Sequence, residues 1–79
     1  MNIKVKLFAT LTCYIQDVKS GVPFNVDLNN ETTLNDLMSH LSLPEEEVKV
    51  AFVNGRAQSM DCQLKDGDEV GIFPPIGGG

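Results

Sequence analysis

The chain contains no tryptophan, one tyrosine, one histidine and two cysteines, and only six of its 79 residues are lysine or arginine. Each scarcity closes off a class of function. His40 has no Ser or Cys nucleophile and acid at a recognisable spacing, so a catalytic triad is not supported. Cys13 and Cys62 stand 49 positions apart with no CxxC and no histidine-rich neighbourhood, so neither a zinc site nor a redox dithiol is indicated and no metal is expected. Composition permits one bridge between them, but a cytoplasmic chain keeps both thiols reduced, and both read as structural fillers. Six basic against eleven acidic residues leave a formal charge of −5, a sign that repels phosphate backbones and anionic lipids. Neither nucleic acid nor a membrane surface is expected as a partner. No apolar run approaches the roughly 20 residues that cross a bilayer. Residues 1 to 20 spread their lysines among polar positions and lack the order of a signal peptide, so a cytoplasmic location is expected.

What remains is 42% hydrophobic and 22% charged, the balance of one small globular domain below the length at which cores divide. No second catalytic domain is expected within these residues. A domain of this size removes only about 60% of its unfolded surface from water, which makes a deep enclosed cleft hard to build and disfavours a self-sufficient enzyme. Charge is uneven: residues 1 to 26 hold Lys4, Lys6 and Lys19 against Asp17, and the rest is strongly acidic. That face reads first as a solvated surface that keeps a small protein dispersed. The alternative is a field that steers the domain towards a basic partner.

Hydrophobic periodicity orders the chain. Ile3, Val5 and Leu7 alternate with Lys4, Lys6 and Phe8, predicting a strand over residues 2 to 8 with one buried face. Leu11, Tyr14, Ile15 and Val18 then fall at i, i+3, i+4 and i+7, predicting a short helix of modest formers. Ser20-Gly21 breaks it, and Phe24, Val26 and Leu28 mark a second strand. Thr33 and Asp36 form a capping box ahead of Leu34, Leu37, Met38 and Leu41, predicting the main helix over 33 to 42, stopped before Pro44. Val48 to Val53 reads as a third strand, Asn54-Gly55 as a tight hairpin into Ala57 to Ser59, and Asp66-Gly67 as a turn into a last strand. On that strand Val70 and Ile72 face one way, Gly71 and Phe73 the other. One main helix cannot cover two faces of a sheet, so the expected architecture is α+β with the helix across one face.

The domain is expected to end at residue 73, leaving 74 to 79 as an extended flexible tail. Pro74 and Pro75 lack amide donors and favour extended geometry, so the sheet releases the chain there. Ile76 and the glycines Gly77, Gly78 and Gly79 follow; six residues at about 3.3–3.6 Å each reach roughly 20 Å, enough to enter another protein's active site. Composition alone leaves two readings: a frayed terminus or linker scar, and a side-chain-free tether that presents its carboxylate for chemistry performed elsewhere.

The run Leu64-Lys65-Asp66-Gly67-Asp68-Glu69-Val70-Gly71-Ile72-Phe73-Pro74-Pro75 with terminal glycines resembles the MoaD/ThiS family of ubiquitin-like sulfur carriers. Lys6-Leu7-Phe8-Ala9 and Phe52-Val53-Asn54-Gly55 are similar to that family too, so the resemblance covers essentially the whole chain. It implies a β-grasp fold: a mixed sheet of about five strands with one main helix on one face. It also implies that the chain is not catalytic alone and binds no cofactor of its own. A ubiquitin-activating-type adenylating enzyme would use ATP to place AMP on the Gly79 carboxylate. A persulfide sulfur would then replace it, leaving a thiocarboxylate that the carrier donates inside a partner's active site.

Length, the helical segment after the first strand and the Phe-Pro-Pro ending are more similar to the MoaD branch, the small subunit of molybdopterin synthase. The implied partner is the large subunit of that synthase. The sequence departs from the family pattern at Gly77-Gly78-Gly79, three glycines where two are required. Other pathways such as thiamine synthesis, conjugation to a protein lysine, and a non-conjugated ubiquitin-like binding module stay open as alternatives. In the implied arrangement the first and last strands are parallel neighbours. Parity then puts Phe8 and Phe73 on the face opposite the core, beside the root of the tail, as two exposed aromatics that with Pro74 form a partner-binding patch.

Overall fold

The alternating residues of β1 (Asn2–Leu7) send Ile3, Val5 and Leu7 to complete burial and leave Asn2 and Lys4 in solvent. In the computed structural model, which describes residues 1–75, this strand lies inside a five-stranded sheet of order β2-β1-β5-β3-β4. The others are β2 (Phe24–Asp27), β3 (Val50–Val53), β4 (Arg56–Gln58) and β5 (Glu69–Phe73). β1 and β5 run parallel with Leu7 opposite Ile72, while β1/β2, β5/β3 and β3/β4 are antiparallel. The sheet is therefore mixed, its first and last strands side by side at the centre.

Helix α1 (Leu34–His40) crosses one face and buries Leu34, Leu37 and Met38 in one cluster with Ile3, Val5, Leu7, Val70 and Ile72. Seven residues are too few to hold a helix in isolation, so its stability comes from this packing and from its ends. At the N-terminus the capping box forms as the sequence predicts: Asp36 N–H donates to Thr33 Oγ1 at 3.2 Å, and Thr33 N–H donates to Asp36 Oδ2 at 3.1 Å. The first turn is also tied to the loop before β5 by Leu34 N–H to Cys62 O at 3.0 Å and Asn35 N–H to Met60 O at 2.8 Å. At the other end Ser42 takes φ 57°, with Leu43 N–H on Met38 O at 3.0 Å and Ser42 N–H on Ser39 O at 3.1 Å. That is a Schellman closure in which serine holds the position glycine favours. The helix stops at His40, two residues short of the expectation, and Pro44 follows the closure.

The segment after β1 differs from its periodicity. It is a 3₁₀ helix over Ala9–Tyr14, Ile15 is extended, and Asp17 turns the chain at φ 63°. Only Leu11 of the predicted apolar stripe is fully buried; Tyr14 is 44% exposed. The Thr12 hydroxyl donates to Ala9 O at 2.9 Å, and the chain is closed back on β1 by Ala9 N–H to Ser20 Oγ at 3.0 Å and Gly21 N–H to Leu7 O at 2.9 Å. These bonds favour a tight anchored loop over a helix of weak formers. The acidic run folds into a 3₁₀ turn over Glu45–Glu47. Among the described residues no helix is long and apolar enough to cross a membrane.

Candidate functional site: an aromatic patch at the root of the tail

The parallel register brings the ends of β1 and β5 together. Phe8 N–H donates to Ile72 O at 3.2 Å, and immediately beyond it Ala9 adopts φ 53° and turns the chain away. Phe8 and Phe73 thus occupy the sheet face opposite α1, as parity predicts. They are not two separately exposed rings: each is half-buried, and they stack with centroids 4.2 Å apart and planes 5° from parallel. Beside Phe8 the chain returns at Gly21, where an added Cβ would stand 3.5 Å from Phe8 Cε1. Beneath the pair lies Gly71, whose missing side chain leaves the rings room to lie over the sheet. A Cβ there would touch Phe73 Cε1 and Phe8 Cε2, both at 3.6 Å.

Sequence reasoning missed a third ring. Phe52 of β3 is the cross-strand partner of Gly71 and meets Phe73 edge-on, with centroids 5.5 Å apart and planes at 76°. Its signal was present, because Ala51 and Val53 point inward and force Phe52 outward. The three rings border a shallow open cavity of about 450 Å³ whose rim carries Lys4, Lys6 and Glu69. Stacked and edge-to-face aromatics of this kind present a rigid apolar surface.

β5 ends at Phe73, leaving Pro74 half-buried and Pro75 exposed beside the patch in sequence. The other tail positions, Ile76, Gly77, Gly78 and the expected reactive Gly79, lie outside the described residues. The remaining reactive groups are scattered. His40 is exposed on the last turn of α1, Cys13 is exposed on the 3₁₀ segment, and Cys62 is half-buried with its thiol 3.7 Å from Gln63 O. Tyr14 has its pKa raised above 10.0, by partial desolvation first and then by Glu47, Glu46 and Cys13, so its phenol stays protonated near neutrality. Among the described residues no three His, Cys, Asp or Glu side chains gather as metal ligands. Among the described residues the face joins three aromatic rings to the Lys4, Lys6 and Glu69 rim, with His40, Cys13 and Cys62 outside its lining.

A mixed five-stranded sheet with its terminal strands parallel at the centre and one helix across one face is the β-grasp, the ubiquitin-like fold class. The model of the ThiS family matches residues 5–79. The chain belongs to the ThiS family, the ubiquitin-like sulfur carriers that its sequence resembles. Among solved structures it is similar to the putative molybdopterin converting factor subunit 1 of Pyrococcus furiosus, with 31% identity over 96% of this chain and 99% of that one and a TM-score of 0.76. SAMP1 of Haloferax volcanii, a small archaeal modifier protein, matches with 25% identity over 100% of both chains and a TM-score of 0.74. A complex of subunits 1 and 2 of the molybdopterin-converting factor from Helicobacter pylori matches with 24% identity, 100% coverage of both chains and a TM-score of 0.63, a likeness of fold. None of the curated proteins compared matches the sequence.

Proposed function

We propose that this protein is the sulfur-donating small subunit of a molybdopterin synthase, acting in the cytoplasm through a thiocarboxylate on Gly79. The observation that carries the reading is the 31% identity to the Pyrococcus furiosus subunit across nearly the full length of both chains. The chemistry asks little of this chain beyond a terminal carboxylate on a narrow tether and a surface by which larger proteins hold it. A ubiquitin-activating-type enzyme consumes ATP, releases pyrophosphate and leaves AMP on Gly79 as a mixed anhydride. A persulfide sulfur displaces AMP to form an acyl disulfide, and a second thiol cleaves its S–S bond, taking the persulfide's carrier sulfur into a new disulfide and leaving the thiocarboxylate. The large synthase subunit then supplies the catalytic side chains, while Phe8, Phe52, Phe73 and Pro74 provide the docking face. No cofactor is bound by the carrier itself.

The similarity to SAMP1 over the whole of both chains favours a second use of the same activated terminus, attachment to a protein lysine. One experiment separates them. The chain is incubated with an adenylating enzyme, ATP and a sulfur source, and its intact mass is read before and after addition of the large synthase subunit with its pterin substrate. Replacement of one oxygen by sulfur, reversed on addition of the synthase and substrate, is the expected result. An unchanged mass after incubation refutes the carrier reading, and isopeptide-linked adducts without pterin product favour the second.

A further inference from the structure

Asn54 and Gly55 are the two central residues of the β3–β4 hairpin, both exposed and both at positive φ, 52° and 85°. The twist of the flanking strands requires that mirror-image turn, and Asn-Gly is the dipeptide that adopts it most readily. The same dipeptide is chemically labile, because glycine puts no Cβ in the way of its own nitrogen approaching the preceding side-chain carbonyl. In this fold the amide is held elsewhere. Asn54 Nδ2 donates to Asp68 Oδ1 at 2.9 Å, and Asn54 Oδ1 accepts from Glu69 N–H at 3.0 Å. The Asn54 N–H donates to Glu69 O at 2.8 Å, and Asp68 is itself fixed by Lys65 N–H on its Oδ2 at 2.8 Å. Donor and acceptor of the side chain are both committed to the start of β5.

We propose that Asn54 is a deamidation site held closed by this clasp, modified only when the hairpin lifts from β5. In the open state the Gly55 nitrogen loses its proton to solvent base and bonds to Asn54 Cγ. The Cγ–Nδ2 bond breaks and ammonia leaves, giving a succinimide. Water then opens the ring at either carbonyl, to aspartyl or isoaspartyl, so the net change is one water gained and one ammonia lost. Neither product can restore the clasp. An aspartyl side chain puts a carboxylate where an amide donor stood 2.9 Å from Asp68, and an isoaspartyl link lengthens the backbone of a two-residue turn. Modification therefore locks in the opening that allowed it, on the hairpin arm whose Phe52 belongs to the aromatic patch.

The test follows ammonia loss, intact mass and isoaspartate content at residue 54 during incubation of the full chain at neutral pH. Three samples are compared: folded, unfolded in guanidinium, and the Asp68→Ala variant with its fold checked by circular dichroism. Asp68 breaks no proposed docking contact. Unfolding or loss of Asp68 is expected to speed modification about tenfold or more, the factor that corresponds to roughly 1.4 kcal/mol of opening. Should the variant not fold, the wild type in sub-denaturing urea decides, because modification must rise in step with hydrogen exchange of the Glu69 amide. Equal rates in folded and unfolded chains, a folded Asp68→Ala chain as slow as wild type, or modification indifferent to Glu69 exchange would each overturn the proposal.

Discussion

Truncating Phe8 and Phe73, singly and together, tests the stacked pair as both a structural and a binding element. A fully buried phenylalanine contributes about 1.5–3 kcal/mol by area, so each half-buried ring is worth about 1 kcal/mol. Stacking at 4.2 Å adds roughly 0.5–1.5 kcal/mol beyond area. Phe8→Ala and Phe73→Ala should then each destabilise by about 1.5–2.5 kcal/mol, a fall in Tm of the order of 10 °C for a domain this small. The double variant should fall short of the sum by the stacking energy, because the second truncation removes a ring whose partner is already gone. Urea denaturation with an unchanged m-value measures each difference. Additivity within about 0.3–0.5 kcal/mol would refute the stack as an energetic unit. In binding, each truncation should weaken affinity for the adenylating enzyme or the large synthase subunit by roughly 1–3 kcal/mol, the loss expected for an aromatic anchor. Unchanged affinity in a folded double variant would remove this face from the docking surface.

Three further outcomes are expected. Thr33→Ala removes the hydroxyl that accepts Asp36 N–H and should lower stability by about 0.5–2 kcal/mol in thermal melts, with the aromatic patch and its binding intact. Ser42→Gly relieves the positive φ of the helix closure and should raise stability by about 0.5–1 kcal/mol; a lower Tm would contradict the strain assigned to that serine. Deletion of Gly78 and Gly79 should abolish pyrophosphate release by the activating enzyme while leaving the melting curve of the domain in place.

The elements that were legible in the sequence are those whose causes are local. Period-two alternation marks β1, the Thr33–Asp36 pair marks the start of α1, and Asn54-Gly55 marks its hairpin because each signal acts within a few residues. The segment after β1 fails for the opposite reason. Its i, i+3, i+4, i+7 spacing is real, but what decides its conformation are bonds from Ala9 to Ser20 and from Gly21 to Leu7, made across the loop. Leu11 is the fully buried anchor, Ile15 and Val18 pack against the core partly buried, and Tyr14 alone of the stripe is left in solvent. The three-residue strand β4 is likewise displaced by one position towards its turn from the predicted Ala57 to Ser59, since pairing with β3 and not side-chain burial defines it.

The patch shows how far parity alone carries a site. Alternation along β1 and β5 places Phe8 and Phe73 on the outer face whatever their neighbours are, so the face was readable from each strand taken separately. That the two rings would cover one another was not, because it depends on the offset between strands more than 60 positions apart in sequence, fixed by Leu7 opposite Ile72. Phe52 needed a second such register, Phe52 opposite Gly71, to bring a ring from the middle of the chain against Phe73. Gly71 is placed by both registers at once: it lies beneath the Phe8 and Phe73 rings and opposite Phe52 on β3. The sheet thus packs its aliphatic residues under α1 on one side and gathers Phe8, Phe52 and Phe73 on the other, where the chain leaves for Pro74 and Pro75.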